Sequence, residues 1–177
     1  VNLWDYYKQS NADVVRGLVK TVYPDDTPDW IVKGQFYQRI NHKTGTVFTW
    51  SNTGNVLFNF DKLVRGWKLF FDESFGLTGG SDKEYFTRAN KNGALILWVD
   101  NAFAFEVLER ERFRLSYLVK RKFRERNNRI NYGKISIFEW IKLFIKSIYK
   151  ILKGTILLPI KSFTGIHNAV YELLRIV

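Results

Sequence analysis

The chain of 177 residues carries 28 Lys and Arg against 17 Asp and Glu, a net charge of +11, with 46% hydrophobic and 17% aromatic residues. A chain of this size can bury roughly 70% of its unfolded surface without covalent staples, and this balance excludes wholesale disorder. No cysteine and only two histidines are present, which excludes disulfide frameworks, zinc ribbons, Fe–S clusters, thiol nucleophiles and histidine metal clusters. No cofactor, metal ligand or catalytic residue is expected.

The opening VNLWDYYKQSNAD has neither the basic and apolar regions of a secretory signal nor the Arg/Ser bias of a transit peptide. NADVVRGLVKTVY then offers Asn11 as a cap and sets Val14, Val15, Leu18, Val19 and Val22 on one helical face, so a short N-terminal helix is expected. Pro24 to Asp29 reads as a loop. From Gly34 the period shortens to two: QFYQRI, TVFTWS and NVLFNF, separated by Asn/Gly turns, predict an antiparallel meander. EYFTRA, ALILWV and AFAFEV predict a second. KLVRGWKLFF between them fits either strand or short helix.

After Glu106 the composition turns helical. EVLERERFRLSYLVKRKFRERNNR clusters acids at its start and bases at its end, as a helix dipole favours. A break is expected at Asn127–Gly133, and Ser136 with Glu139 forms an S-x-x-E capping box. The helix it opens is expected to run to Gly154. HNAVYELLRIV predicts a last short helix. The resulting fold class is α+β: an N-terminal helix and loop over 1–29, an antiparallel β meander module over 30–108, and a basic, amphipathic helical region over 109–177.

Charge divides along the same line. Residues 1–109 hold 12 basic and 13 acidic residues, whereas 110–177 hold 16 and 4. The second part therefore suits an anionic partner, phosphate backbone or acidic lipid. Six of ten residues in KRKFRERNNR are basic (Lys120, Arg121, Lys122, Arg124, Arg126 and Arg129), a spacing that reaches several phosphates without reading bases. Glu109, Glu111 and Glu125, three or four residues from arginines, favour intrahelical pairing instead.

In SIFEWIKLFIKSIYKILKG, a period of about 100° confines Lys142, Lys146, Lys150, Lys153 and Glu139 to one narrow arc. Each central lysine costs about 2.5–3.5 kcal/mol in a bilayer, which argues against a span. A helix lying at a membrane interface fits better, with Trp140, Phe144 and Tyr149 sinking toward the acyl boundary. Packing of the wide apolar face on protein, including copies of this chain, fits equally.

Constellations for catalysis are thin. His42 reads as a turn residue and His167 as an isolated one. Asp25, Asp26 and Asp29, like Asp72, Glu73, Asp82 and Glu84, match no metal-loop spacing. GLTGGSDK lacks the lysine placement of a phosphate loop, and its Asp82 would repel phosphate. The expected function is thus a non-enzymatic structural or assembly protein, for which a viral or phage virion component is one fit. Its β module would contact other protein subunits, and its basic helices a membrane surface, nucleic acid or neighbouring subunits. A nucleic-acid-binding module built on residues 120–129 is the first alternative, and an acid-dependent metal hydrolase around Asp25, Asp26 and Asp29 the second. Localisation stays open, with a virion or a membrane periphery both compatible.

Overall fold

Residues Val14 to Val19 are buried without interruption, a pattern possible only where a segment is covered on both faces. In the computed structural model this segment is not a helix but the strand β1 (Val14–Val22). The run fits helical spacing because a central strand with apolar cover on both sides needs no alternation. The structure describes residues 2–75, 79–131, 141–142, 145–146, 148–149 and 165–176, with backbone alone for 126–131, 172, 175 and 176.

The fold class is mixed α and β, with one four-stranded sheet and several helices among the described residues. The N-terminal helix lies earlier than expected: α1 (Leu3–Gln9) is capped by the Asn2 side chain, which accepts from the Asp5 amide at 2.8 Å. β1 pairs in parallel with β4 (Ile96–Val107) and antiparallel with β3 (Val56–Phe58), while β2 (Val47–Phe48) pairs antiparallel with β4. The order is β2-β4-β1-β3.

This sheet replaces the expected meanders. QFYQRI is not a strand: Gln35 takes a left-handed conformation (φ 49°) that ends the short helix α2 (Asp29–Gly34). ALILWV and AFAFEV are two halves of the single strand β4, not two strands joined by a turn. EYFTRA lies inside helix α3 (Ser81–Lys91). Its aromatic pair suggested a strand, yet Tyr85, Phe86 and Ala89 fall on one helical face and are fully buried. Glu84 and Arg88, four residues apart, close a bidentate pair on its side. Asp61–Gly66 forms a π-helical turn, and Glu73–Phe75 a 3-10 turn.

Successive residues of β1 point to opposite layers. Val14, Ile96 and Phe58 pack with Leu63, Leu69, Tyr85, Phe86 and Ala89 on the α3 side. Val15, Leu97 and Leu57 pack with Leu3, Tyr6 and Tyr7 of α1 on the other. Asp13, just ahead of β1, joins the ends of β3 and β4 to the π-helical turn. Its carboxylate accepts from Lys62 Nζ at 2.6 Å and from the Leu95 amide at 3.0 Å, while its carbonyl accepts from Asn59 N at 2.8 Å.

The β1/β4 register jumps between Gly17, opposite Val99, and Leu18, opposite Phe103. Asp100, Asn101 and Ala102 form the resulting bulge. Asn55 plugs it, donating through Nδ2 to the carbonyls of Leu18 (3.1 Å) and Ala102 (2.9 Å). Thr44 and Asn41 hold its other side, Thr44 Oγ1 accepting from the Asp100 amide at 3.0 Å and Asn41 Nδ2 donating to the Asp100 carbonyl at 3.1 Å.

The chain divides into two compact units, the first comprising 1–22 and 37–107, the second 23–36 and 108–177. In the second, β4 has ended at Val107 and a 3-10 turn over Arg110–Phe113 precedes α4 (Leu115–Asn131). The helix expected from Glu106 thus begins nine residues later, and Glu109 and Glu111 stand outside it. It is helical at Asn127, Asn128 and Asn131, where the break was expected to begin, and Gly133 lies outside the described residues. The final helix, α5 (Ile166–Ile176), forms as expected and packs on α2 and α4, with Tyr171 against Phe36 at 4.8 Å between ring centroids. Ser136, Glu139 and the run 150–164 lie outside the described residues.

Candidate functional site

Arg16 is on the α3 side of β1, two residues beyond Val14, and is only 5% exposed. An arginine this deep requires partners for both its charge and its donors. Three aromatic rings supply the first. The guanidinium carbon lies 4.8 Å from the centroid of Phe48, 4.8 Å from Trp50 and 5.1 Å from Trp98, within cation–π range of each. Nη1 donates to the Trp50 carbonyl at 2.9 Å, while Nε makes no hydrogen bond among the described residues. Burial first, and repulsion from Arg39 second, lower the Arg16 pKa to about 10; the charge of Asp82 offsets part of this. Arg16 remains cationic at neutral pH.

Sheet register builds this box. Arg16 and Trp98 are direct partners across β1 and β4, and Phe48 of β2 faces Ile96 one step away on the same side. His42 adds edge contacts to Phe48 (5.0 Å) and Trp98 (5.1 Å), and Asn41 Oδ1 accepts from Trp98 Nε1 at 2.9 Å. His42 is therefore part of the wall as well as a loop residue.

Over the box stands the start of α3. Gly80 adopts a left-handed conformation (φ 90°) that turns the chain into the helix. Asp82 Oδ1 accepts from the Lys83 amide at 2.7 Å, and its Oδ2 accepts from the Thr53 amide at 3.4 Å. Lys83 Nζ lies 5.1 Å from the Trp50 ring. Trp50, Asp82 and Lys83 are all half-exposed. The first unit thus presents a carboxylate, an ammonium and an indole at its surface, over a buried guanidinium. Such a set can accept hydroxyl hydrogen bonds, attract an anionic group and cover an apolar face of a ligand.

No family model matches the chain, and no solved structure is significantly similar to it. Similarity is found to the succinoglycan biosynthesis protein ExoM of Rhizobium meliloti (strain 1021), at 29% identity over 120 residues. The match takes in 66% of this chain and 38% of that protein. The chain therefore spans well under half of its relative's length.

Of the residues that stand out in the sequence, His42 and Asp82 fall at this site, whereas the basic candidates of 120–153 and Asp25, Asp26 and Asp29 belong to the second unit. Along α4, Lys120 and Arg124 are exposed, while Arg121 Nε and Lys122 Nζ both donate to Glu125 at 3.0 Å. Arg126 and Arg129 are described only as helical backbone. Lys142, Lys146 and Tyr149 are helical and exposed; Trp140, Phe144, Lys150 and Lys153 lie outside the described residues. Asp26 pairs with Arg110 at 2.6 Å and Asp29 with Lys33 at 2.8 Å. Among the described residues no group of three or more acids or histidines is placed to hold a metal ion, and no helix is long and apolar enough to cross a membrane.

Glu125 carries a pH prediction. Burial raises its pKa, but the hydrogen bonds and charges of Lys122 and Arg121 outweigh this and the net shift is downward. A carboxylate held below its unfolded value, ~4.3 for glutamate, stabilises the fold above that pH, and the contribution is lost as pH falls through the folded value. Acidification from pH 5 to pH 3 is expected to loosen α4 more in the native chain than in Glu125→Gln, as read by helical circular dichroism. Identical acid profiles would contradict this.

Arg16, Trp50 and Trp98 are not legible as a site in the sequence, where Arg16 falls in a segment of helical spacing and the two tryptophans in separate strand-like runs. Asp82 was visible in GLTGGSDK. Its proximity to Trp50 depends on the fold.

Proposed function

We propose that the first unit is a saccharide-handling module that serves glycan biosynthesis. The observation that carries this reading is the pairing of Asp82 and Lys83 at the start of α3 with the Trp50 rim of the Arg16 box. The name of the similar protein, succinoglycan biosynthesis protein, supports it. A sugar offers hydroxyls to a carboxylate and a C–H face to an indole, and an activated sugar adds an anionic leaving group suited to an ammonium. The reaction class this favours is glycosyl transfer. An acceptor hydroxyl oxygen bonds to the anomeric carbon, the bond to the leaving group breaks, and Asp82 takes the hydroxyl proton as general base. Arg16 is a positioning residue here, since the rings shield it.

Titration with neutral and acidic oligosaccharides, followed by tryptophan emission and equilibrium dialysis, tests this reading. Asp82→Asn is expected to weaken binding at least about tenfold, in line with loss of a hydrogen bond to a charged group. Trp50→Ala is expected to remove both binding and the emission change. Oligosaccharides that neither bind nor alter emission at any concentration would sink the reading.

The assembly role expected from the sequence remains a second reading, favoured by one surface of the same unit. Phe103, Phe105 and Val107 on β4 and Val22 on β1 are exposed together, Phe105 at 69%. These exposed apolar side chains, with Lys20 Nζ lying 3.4 Å over the Phe103 ring, suit a protein interface. Sedimentation velocity decides it: concentration-dependent association that Phe105→Ser abolishes would support assembly, and a monomer at all concentrations would dismiss it.

A further inference from the structure

Outside the saccharide site, the least accounted-for surface is in the lysine-rich stretch of the second unit. Ile141, Lys142, Ile145, Lys146, Ile148 and Tyr149 are all helical and all exposed, Ile145 at 61% and Tyr149 at 62%. With Lys142 at zero on a helical wheel, Ile148, Ile141, Ile145 and Tyr149 fall at about −120°, −100°, −60° and −20°, and Lys146 at about +40°. The exposed arc is thus ordered: three isoleucines, then a tyrosine, then two lysines. The lysine stripe does not simply solubilise the back of a buried helix, since bare apolar residues adjoin it.

That order matches one occupant. We infer that this arc docks the chain on an anionic lipid surface, its isoleucines entering the acyl boundary, Tyr149 at headgroup level, and Lys142 and Lys146 reaching the lipid phosphates. Charge complementarity supports it, because residues 110–177 hold 16 basic residues and 4 acidic ones. The exposed part of α4 has the same chemistry: an open groove of about 530 Å³ lined by Tyr117, Val119, Lys120, Phe123 and Arg124. Other occupants fit less well. A second copy seated antiparallel would set lysines against lysines, and one seated parallel would set each lysine edge against isoleucines. A polynucleotide would use the lysines but leave the isoleucines in water. Docking on lipid does not depend on saccharide binding.

Flotation of the intact chain with phosphatidylcholine vesicles, with and without phosphatidylglycerol, tests it. Binding is expected only to the anionic vesicles. Lys142→Gln with Lys146→Gln is expected to lower the partition coefficient about 30-fold, two lysines at about 1 kcal/mol each, and added salt should act in the same direction. Ile145→Ser with Ile148→Ser should lower it at least about tenfold without reducing helicity, since both side chains are on the surface. The inference would be overturned by native protein that ignores anionic vesicles, by variants that float as well as the native chain, or by serine variants that turn a lipid-free oligomer into a monomer. DNA retention that the serine variants keep, with no vesicle binding, would assign the lysines to polynucleotide and overturn it too.

Discussion

Arg16→Ala is expected to destabilise the protein by about 3–5 kcal/mol, the range for emptying a core position and orphaning a buried polar partner. The truncation removes the group that three rings enclose and strips the Trp50 carbonyl of its 2.9 Å donor. For a chain of this length that corresponds to a loss of about 10 °C in thermal midpoint. Two further variants separate the causes. Arg16→Met fills most of the volume and removes a desolvated charge, so it is expected to lose less than alanine does. Arg16→Lys keeps the charge but lacks the planar fork that faces Phe48, Trp50 and Trp98 together, so it should fall between the two. Urea unfolding checks the series, and an alanine variant within about 1 kcal/mol of native would mean that the box is not what holds this end of the sheet. Should Arg16→Ala also lower saccharide affinity, Arg16→Met is expected to restore part of it by keeping Trp50 in place.

Gly17→Ala is expected to be nearly as damaging although it adds one methyl group. A Cβ at Gly17 would run into the Ala102 carbonyl and lie 2.6 Å from Asn55 Nδ2. Both obstacles belong to the bulge, and one of them is backbone. Overpacking a central strand against a carbonyl that cannot swing away is expected to cost about 3 kcal/mol. The double variant with Asn55→Ala removes the side-chain collision and leaves the backbone one. It should therefore recover only part of the loss, and the two substitutions should couple rather than add. Full recovery would place the strain in Asn55 alone, and a Gly17→Ala change under about 0.5 kcal/mol would mean that β1 and the bulge are not closely packed here.

Much of the chain's physics was legible before its folding. The mixture of helix and strand, the basic second part, the loop from Pro24, which gives way to α2 at Asp29, and the last helix are all local properties of composition and turn chemistry. What escaped was long-range. Val14–Val22 looks helical because burial on both faces erases the period of two, and nothing nearby reveals that α1 and α3 would cover it. Tyr85 and Phe86 have strand propensity but are recruited by the core beneath α3, where tertiary contact outweighs intrinsic preference. Asp100-Asn101 resembles a hairpin turn, yet it bulges out of a continuous strand because β1 pairs in parallel on either side of it. The site obeyed the same rule: Arg16, Trp50, Asp82 and Trp98 are spread over more than eighty positions, and only the register of β1 with β4, the Arg16 contact to Trp50 and the seating of α3 bring them together.

That bulge also sets the phase of the second half of β4. Three residues are interposed between Val99 and Phe103 while β1 advances by one, so the alternation of β4 is broken inside the bulge and Phe103 takes the face of its partner Leu18. A one-residue slip of β4 against β1 beyond this point would turn that half over, bringing Ala104 and Glu106 outward in place of Phe103 and Phe105. The hydrogen bonds of Asn55, Thr44 and Asn41 with this small detour thus fix more than its own shape: they decide which side chains the far half of β4 turns outward.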